Sequence, residues 1–256
     1  MKFTMQRLIL LFTALLPFFL SAQTEGEITF AETISFGEKL KVNNPELADL
    51  FPDSQTSYKQ MFFSESACLM QEHPDKGEDQ EFSGSSNGAE IHIKIERSQD
   101  VLYTDLAEGA STEKKDFMGR TFLIDQDEPT PYEWKILGEQ ALIAGQLCIK
   151  AIHAEGDSSE QAIAWFAPQI PVSAGPRGYN GLPGMILKLE LEMGSRTYVA
   201  EEVTFREVSE EEMTRPTEGR KVTREEFEQI VEEKTREMEM EYGGQGGGVR
   251  IIQRRN

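Results

Sequence analysis

Residues 164–191, AWFAPQIPVSAGPRGYNGLPGMILKLEL, constrain the fold more than any other stretch of this chain. A strand-like piece enters a loop crowded with Pro and Gly. The loop then feeds a second strand, in which Met185, Leu187, Leu189 and Leu191 share one face and polar residues the other. Such a period-2 pattern marks a half-buried strand with one wet face. That is the habit of antiparallel sheets rather than of parallel sheets covered on both sides.

The same alternation recurs elsewhere. Residues 27–36 place Ile28, Phe30, Ile34 and Phe36 in one phase, and residues 90–96 set Ile91, Ile93 and Ile95 against charged neighbours. Residues 141–143 and 146–153 flank Ala144-Gly145, a tight-turn pair, and Gly194-Ser195 offers another hairpin turn into residues 197–205. Residues 71–88 are acidic and rich in Gly and Ser, and are expected to form a loop. Beyond Ser209 the chain is dominated by Glu. Thr223 with Glu226 is a capping-box signature for a helix reaching about Glu241, with Phe227, Ile230, Val231 and Met238 as a thin apolar stripe. Gly243 to Gly248 reads as a linker. The tail after it reads either as an unstructured terminus or as a docking strand in which Val249, Ile251 and Ile252 add to a sheet edge.

The fold expected is therefore mainly β: a curved antiparallel sheet or open half-barrel with a C-terminal helix and a flexible tail. The boundaries are a leader over 1–22, a β domain over 23–208, a Glu-rich helical segment over 209–242 and a linker with basic tail over 243–256.

Lys2 and Arg7 precede an uncharged apolar run from Leu8 to Leu20, and Ser21-Ala22 supplies a small-residue exit. The run is roughly 13 residues, short of the roughly 20 needed to span a bilayer, so a signal peptide cleaved near Ala22 is expected, with Gln23 as the mature start. The expected destination is the periplasm or the outside of the cell, with no transmembrane segment in the mature chain. A net charge of −19 argues against a nucleic-acid partner, which needs a basic face. Cys68 and Cys148 are the only cysteines, an even pair in a chain bound for an oxidising compartment. A disulfide between them would close a loop of about 80 residues and stabilise the fold by roughly 4 kcal/mol. Two separate buried thiols are the alternative.

With these elements placed, the chain resembles the GLPGLI family of exported Bacteroidetes proteins. Ala164-Trp165-Phe166, Ile170-Pro171, Gly175-Pro176 and Tyr179-Asn180-Gly181-Leu182-Pro183-Gly184-Met185-Ile186 follow its pattern, with Met185 in place of the usual Leu. Trp134-Lys135-Ile136 and residues 143–151 fit the block upstream. The resemblance implies export and a sheet-rich fold, and no established catalytic activity.

Leu182-Pro183-Gly184-Met185 suits a type II turn, since Pro183 presets φ and Gly184 accepts a positive φ. Asn180-Gly181 is a second positive-φ signal. The plain reading of this loop is a rigid connection fixing strand register. The functional reading is a binding rim made by Arg177 for an anion and by Trp165 and Tyr179 for an apolar or planar ligand.

Catalytic signatures are absent from the sequence. No His-Glu-x-x-His helix, nucleophile elbow, phosphate loop or dinucleotide fingerprint occurs, and no catalytic residue, cofactor or metal set is assigned. Three functions remain in play. The leading one is a non-enzymatic binding or assembly protein of the cell envelope, whose partner is another envelope protein or an apolar ligand. The others are an envelope hydrolase with a dispersed site, and a metal-handling protein using the acidic loop around His73. Clustered titratable groups in a cleft would favour an enzyme over a simple apolar carrier.

Overall fold

The computed structural model describes residues 24–35, 52–77, 79–86, 89–126, 132–153, 161–242 and 250–254. The expected leader and its cleavage site lie outside them, as does the Gly-rich linker.

The alternation seen in the sequence becomes fifteen described strands. They are β1 (Gly26–Ser35), β2 (Ser54–Phe63), β3 (Ala67–Glu72), β4 (Gln80–Ser86), β5 (Ala89–Glu96), β6 (Val101–Asp105), β7 (Ser111–Phe117), β8 (Arg120–Gln126), β9 (Lys135–Ile143), β10 (Gln146–His153), β11 (Ala162–Ala167), β12 (Met185–Leu191), β13 (Arg196–Phe205), β14 (Arg220–Val222) and β15 (Arg250–Arg254). One helix, α1 (Arg224–Tyr242), follows β14.

Twelve strands form one open sheet in the order β14-β8-β7-β6-β3-β2-β1-β13-β12-β11-β10-β9. Every pairing in it is antiparallel except that of β14 with β8. The mainly β, antiparallel, open architecture with a C-terminal helix matches the sequence reading. β1 is the seam of the sheet. It joins the N-terminal meander to the C-terminal one by pairing with β2 on one side and β13 on the other. The hairpin between β9 and β10 turns at Ala144 and Gly145, both at positive φ (47° and 77°), the backbone of a type I′ turn.

Several sequence expectations need correction. The loop expected over 71–88 contains β4, which pairs with β5 in a separate three-stranded sheet. Its Ser- and Gly-rich composition hid a strand that has little apolar patterning. Within the segment 209–242 the helix begins at Arg224, directly after the expected Thr223 cap, and is preceded by the short strand β14, which the sequence reading did not include. The tail pairs in parallel with β5, from Arg250 opposite His92 to Arg254 opposite Glu96, so of the two readings of the tail the sheet-edge strand is the one formed.

The capping box is formed as expected. The Thr223 backbone N–H donates to Glu226 Oε2 at 3.0 Å, and the Glu226 N–H donates to Thr223 Oγ1 at 3.1 Å. Phe227 then packs edge-on against Phe122, with ring centroids 5.3 Å apart, and Ile230 and Val231 flank them. This small core fastens α1 to β8. No helix among the described residues is long and apolar enough to cross a membrane.

The main core lies on the inward face of the sheet. Ile28, Phe30, Met61, Phe63, Phe166, Leu187 and Leu189 are buried there. The Pro/Gly loop between β11 and β12 covers it, inserting Ile170, Val172, Ala174 and Leu182 into the same cluster, while Pro171 and Ser173 between them stay exposed. The far end of this loop reaches β6, three strands in from the edge strand β14 and five from β12, which requires the sheet to curl around it. The covered face is thus concave.

The turn at the end of the loop is not type II. The Leu182 carbonyl accepts from the Gly184 N–H at 2.8 Å, a three-residue γ-type closure around Pro183, and the Met185 N–H donates to Ile170 O at 3.0 Å instead. Gly184 does have positive φ, at 152°. A Cβ there would sit 2.4 Å from the Ala167 carbonyl oxygen, so glycine is required by close backbone approach as much as by φ.

Cys68 and Cys148 are separate buried thiols, so the disulfide expected from their even number is not formed. They sit on β3 and β10, six strand steps apart in the sheet.

Candidate functional site

Strand register decides which side chains share the inward face. Glu32 lies opposite Ser57 on β2 and Tyr198 on β13. Cys68 lies opposite Thr104, and Leu102 opposite Glu113. Glu113 and Lys115 in turn oppose Ile124 and Phe122, the residues that seat α1. The apolar loop fills one part of the concavity and α1 rests over another. Between them remains a cleft of about 370 Å³. Its walls include Glu32, Lys59, Asp100, Thr104, Glu113, Lys115 and Tyr198 from the sheet, Arg177, Gly178 and Asn180 from the loop, Arg224 and Glu228 from α1, and Tyr132.

The floor is a buried ionic network centred on Glu32, which is 2% exposed. Its carboxylate accepts from Tyr198 Oη at 2.6 Å, Ser57 Oγ at 3.2 Å and Arg196 at 3.2 Å, and Lys59 Nζ lies 3.4 Å away. Burial by itself raises the pKa of this group. Lys59, the Tyr198 hydrogen bond, Arg196 and Arg177 outweigh it, so Glu32 titrates below the usual carboxylate range and is ionised. Tyr198 is pushed up to about 12, first by burial and then by the negative Glu32 beside it. Lys59 also bonds Glu72 at 2.5 Å.

A second group lies toward α1. Glu113 pairs with Lys115 at 3.2 Å and Arg224 at 2.8 Å. Burial would raise its pKa, but these two cations hold it below the usual range. Asp100 shifts in the opposite direction from Glu32 and Glu113. Burial raises its pKa, and Lys115 and the Asp116 N–H, which donates to it at 3.1 Å, do not reverse the shift.

The sequence-predicted site residues separate in space. Arg177 lies in the cleft. Its backbone is left-handed (φ 58°, ψ 22°), an uncommon state for a residue other than glycine, and Gly178 follows at φ 80°. The side chain is solvent-accessible although protein surrounds its guanidinium, the condition of a group standing in a recess. Burial alone would lower its pKa; the adjacent Tyr198 hydroxyl, to which it hydrogen-bonds, and the more distant Glu113 and Glu32 raise it instead, and it stays charged.

Tyr179 is half-buried and stacks on Tyr132, with centroids 4.6 Å apart and planes 24° apart. Through Tyr132 it stiffens the cleft's rim. Asn180 and Gly181 hold the same rim: Trp134 Nε1 donates to Asn180 O at 2.7 Å, and the Gly181 N–H donates to Ser173 Oγ at 2.8 Å. Trp165 is not a wall of the cleft. It alternates to the outer face of β11, half-buried, with Lys150 Nζ 5.6 Å from its ring centroid. His73 accepts from the Asp75 and Lys76 backbone N–H groups through Nδ1, and among the described residues no group of His, Cys, Asp and Glu is arranged to hold a metal ion.

Glu32, Lys59, Thr104, Glu113 and Tyr198 escaped the sequence reading. One signal was available. Glu32 falls in the apolar phase of β1, between Phe30 and Ile34, where alternation demands a buried residue.

Comparison with known proteins adds little chemistry. The sequence pattern of a family described as "Protein of unknown function (Porph_ging)" matches residues 150–188, from the second half of β10 through β11 and the Pro/Gly loop to the middle of β12. No curated protein matches this chain. Two solved structures of PNGF-II, in the C2 and P21 space groups, each superpose with a TM-score of 0.52 at 14% identity over 81% of this chain. The chain spans about a third of PNGF-II, 32% and 33% of the two structures. At that identity the likeness is one of fold alone.

Proposed function

We propose that this chain is an exported binding protein of the bacterial cell envelope, and that the cleft between the Pro/Gly loop and α1 takes a small polar ligand. The leader-like residues 1–22 and the resemblance to GLPGLI proteins support the address. One observation carries the binding reading. Arg177 stands charged and accessible in a preformed recess, and none of the cleft's carboxylates pairs with it. The lining argues for a polar ligand rather than the apolar one expected from a curved sheet, because four cations and four carboxyls face the space.

Thermal-shift measurements with a library of small polar compounds test this reading. Compounds that raise the melting temperature of the wild type and not of Arg177→Gln support it. A library without such compounds, or one acting equally on both proteins, sinks it. Intact-mass measurement of the exported protein tests the address, with a dominant species retaining Met1 to Ala22 as the contrary result.

A second reading is an envelope hydrolase. Glu32, Asp100 and Tyr198 all titrate away from their ordinary ranges and converge on one cleft. Ionic networks that only hold a fold together do the same, so the binding reading stands first. Turnover of an ester, amide or glycoside substrate that is abolished in Asp100→Asn would reverse the order.

A further inference from the structure

Two polar groups of the cleft lack the partners that the others have. Lys59 is paired with Glu32 and Glu72, and Lys115 and Arg224 with Glu113. Arg177, the fourth cation, hydrogen-bonds the Tyr198 hydroxyl but has no carboxylate within ion-pairing distance among the described residues. The second group is Thr104 on β6, 4% exposed. No oxygen or nitrogen reaches its Oγ1. The polar group beside it is the thiol of Cys68 on the neighbouring strand, a weak hydrogen-bonding partner. Buried hydroxyls without a good partner are uncommon, and one in a cleft wall points to a group supplied from outside.

These two residues are neighbours. A Cβ at Gly178 would lie 3.7 Å from Leu102 Cδ2 and 3.9 Å from Thr104 Oγ1, so the residue following Arg177 rests against Thr104. Both residues line the one cleft, with the Thr104 hydroxyl beside the backbone of the loop that carries Arg177.

We propose that Arg177 and Thr104 form a subsite for the carboxylate of a small polar ligand. The assignment rests on the reading of the cleft as a binding site and names the chemistry of its anchor. A planar carboxylate accepts two parallel N–H bonds from arginine and a third bond from a hydroxyl. A phosphate dianion fits less well. Glu32 and Glu113 lie close enough to act on Arg177, and they repel a double charge more strongly than a single one. A cleft of about 370 Å³ has room for roughly twelve waters, the scale of an acylated amino acid or a sugar acid. Asp100 and Glu228 remain to meet hydroxyl or ammonium groups at the ligand's other end.

Matched pairs of probes test the subsite on the full mature chain by calorimetric titration: glucuronate with glucose, and N-acetylalanine with its amide. The acid of each pair should bind the wild type about tenfold or more tightly than its neutral partner, the scale of one charge-assisted contact. Arg177→Gln should abolish that preference. Arg177→Lys should weaken it by removing the fork. Thr104→Val should reduce acid binding, and Thr104→Ser, which keeps the hydroxyl, should restore it. Far-UV circular dichroism and melting temperature establish that each variant is folded. Equal binding of acid and neutral partners overturns the carboxylate subsite and leaves the cleft as a binding site. Tighter binding of inorganic phosphate than of either acid also overturns it, as does failure of both acids to bind at millimolar concentration. The broader reading falls only if the library of polar compounds fails as well.

Discussion

The hydroxyl of Tyr198 donates to the carboxylate of Glu32 across 2.6 Å, joining two residues 166 positions apart through the β1–β13 pair. Glu32 is buried, so its charge depends on such donors. Tyr198→Phe removes one while leaving the ring in place. The expected loss is about 1.5–3 kcal/mol, the range for hydrogen bonds to charged groups. Urea denaturation of the wild type and the variant measures it, and equal midpoints would mean that Glu32 does not need this donor.

The same network sets an acid limit on stability. Glu32 and Glu113 titrate below their ordinary value of 4.5 in the folded protein. Their contribution is therefore complete above that value and is lost as pH falls through the folded pKa. Asp100 has the opposite sign. Its raised pKa favours the fold in acid, and that contribution is lost as pH rises through the folded value. Unfolding free energy should fall as pH drops below about 4.5, and fall less steeply in Glu32→Gln. Parallel pH profiles for the two proteins would contradict the assignment.

Gly184→Val should damage folding rather than any single activity. The added Cβ would lie 2.4 Å from Ala167 O and 3.0 Å from Pro168 Cα, so the start of β12 must move away from the loop. Forced displacement of this kind costs about 1–3 kcal/mol, with backbone strain in addition. Thermal melting checks it, and a variant that melts with the wild type would show the turn to be adaptable.

Burial pushes the Cys68 thiol up to about 12 and the Cys148 thiol up to about 11. Neither is a ready nucleophile near neutral pH. Both should resist iodoacetamide in native protein and react fully in urea, with no reductant required. A mass two hydrogens lighter than the sum of two thiols would instead reveal a bond between them.

The two aromatic neighbours on β11 should respond differently to truncation. Phe166 is 1% exposed, so Phe166→Ala should cost about 3–5 kcal/mol. Trp165 keeps one side in water, and Trp165→Ala should cost about 1–2 kcal/mol. A reversed order in denaturant unfolding would place Trp165 on the inward face.

The sheet was legible because its signal is local. Met185, Leu187, Leu189 and Leu191 announce both the strand and its buried face within seven residues, and Thr223 with Glu226 announces the helix start within four. The cleft was illegible because its members meet only through register. Thr104 reads as an ordinary strand residue until β3 brings Cys68 opposite it and the loop brings Gly178 above it. Arg177 was found by its Gly/Pro setting, and Trp165 was misplaced by it. Trp165 borders the loop in sequence, yet strand alternation sends its side chain to the other face.

One segment packs Ile170, Val172, Ala174 and Leu182 into the core and then presents Arg177 to the cleft. The recess consequently has no existence apart from the native state. An unfolded or half-assembled chain offers no trace of it, so an occupant would stabilise the fold by mass action, to a degree set by its concentration relative to its Kd. If the cleft binds as proposed, the occupied chain would open less often than the empty one and would be the slower of the two to be cut by a protease.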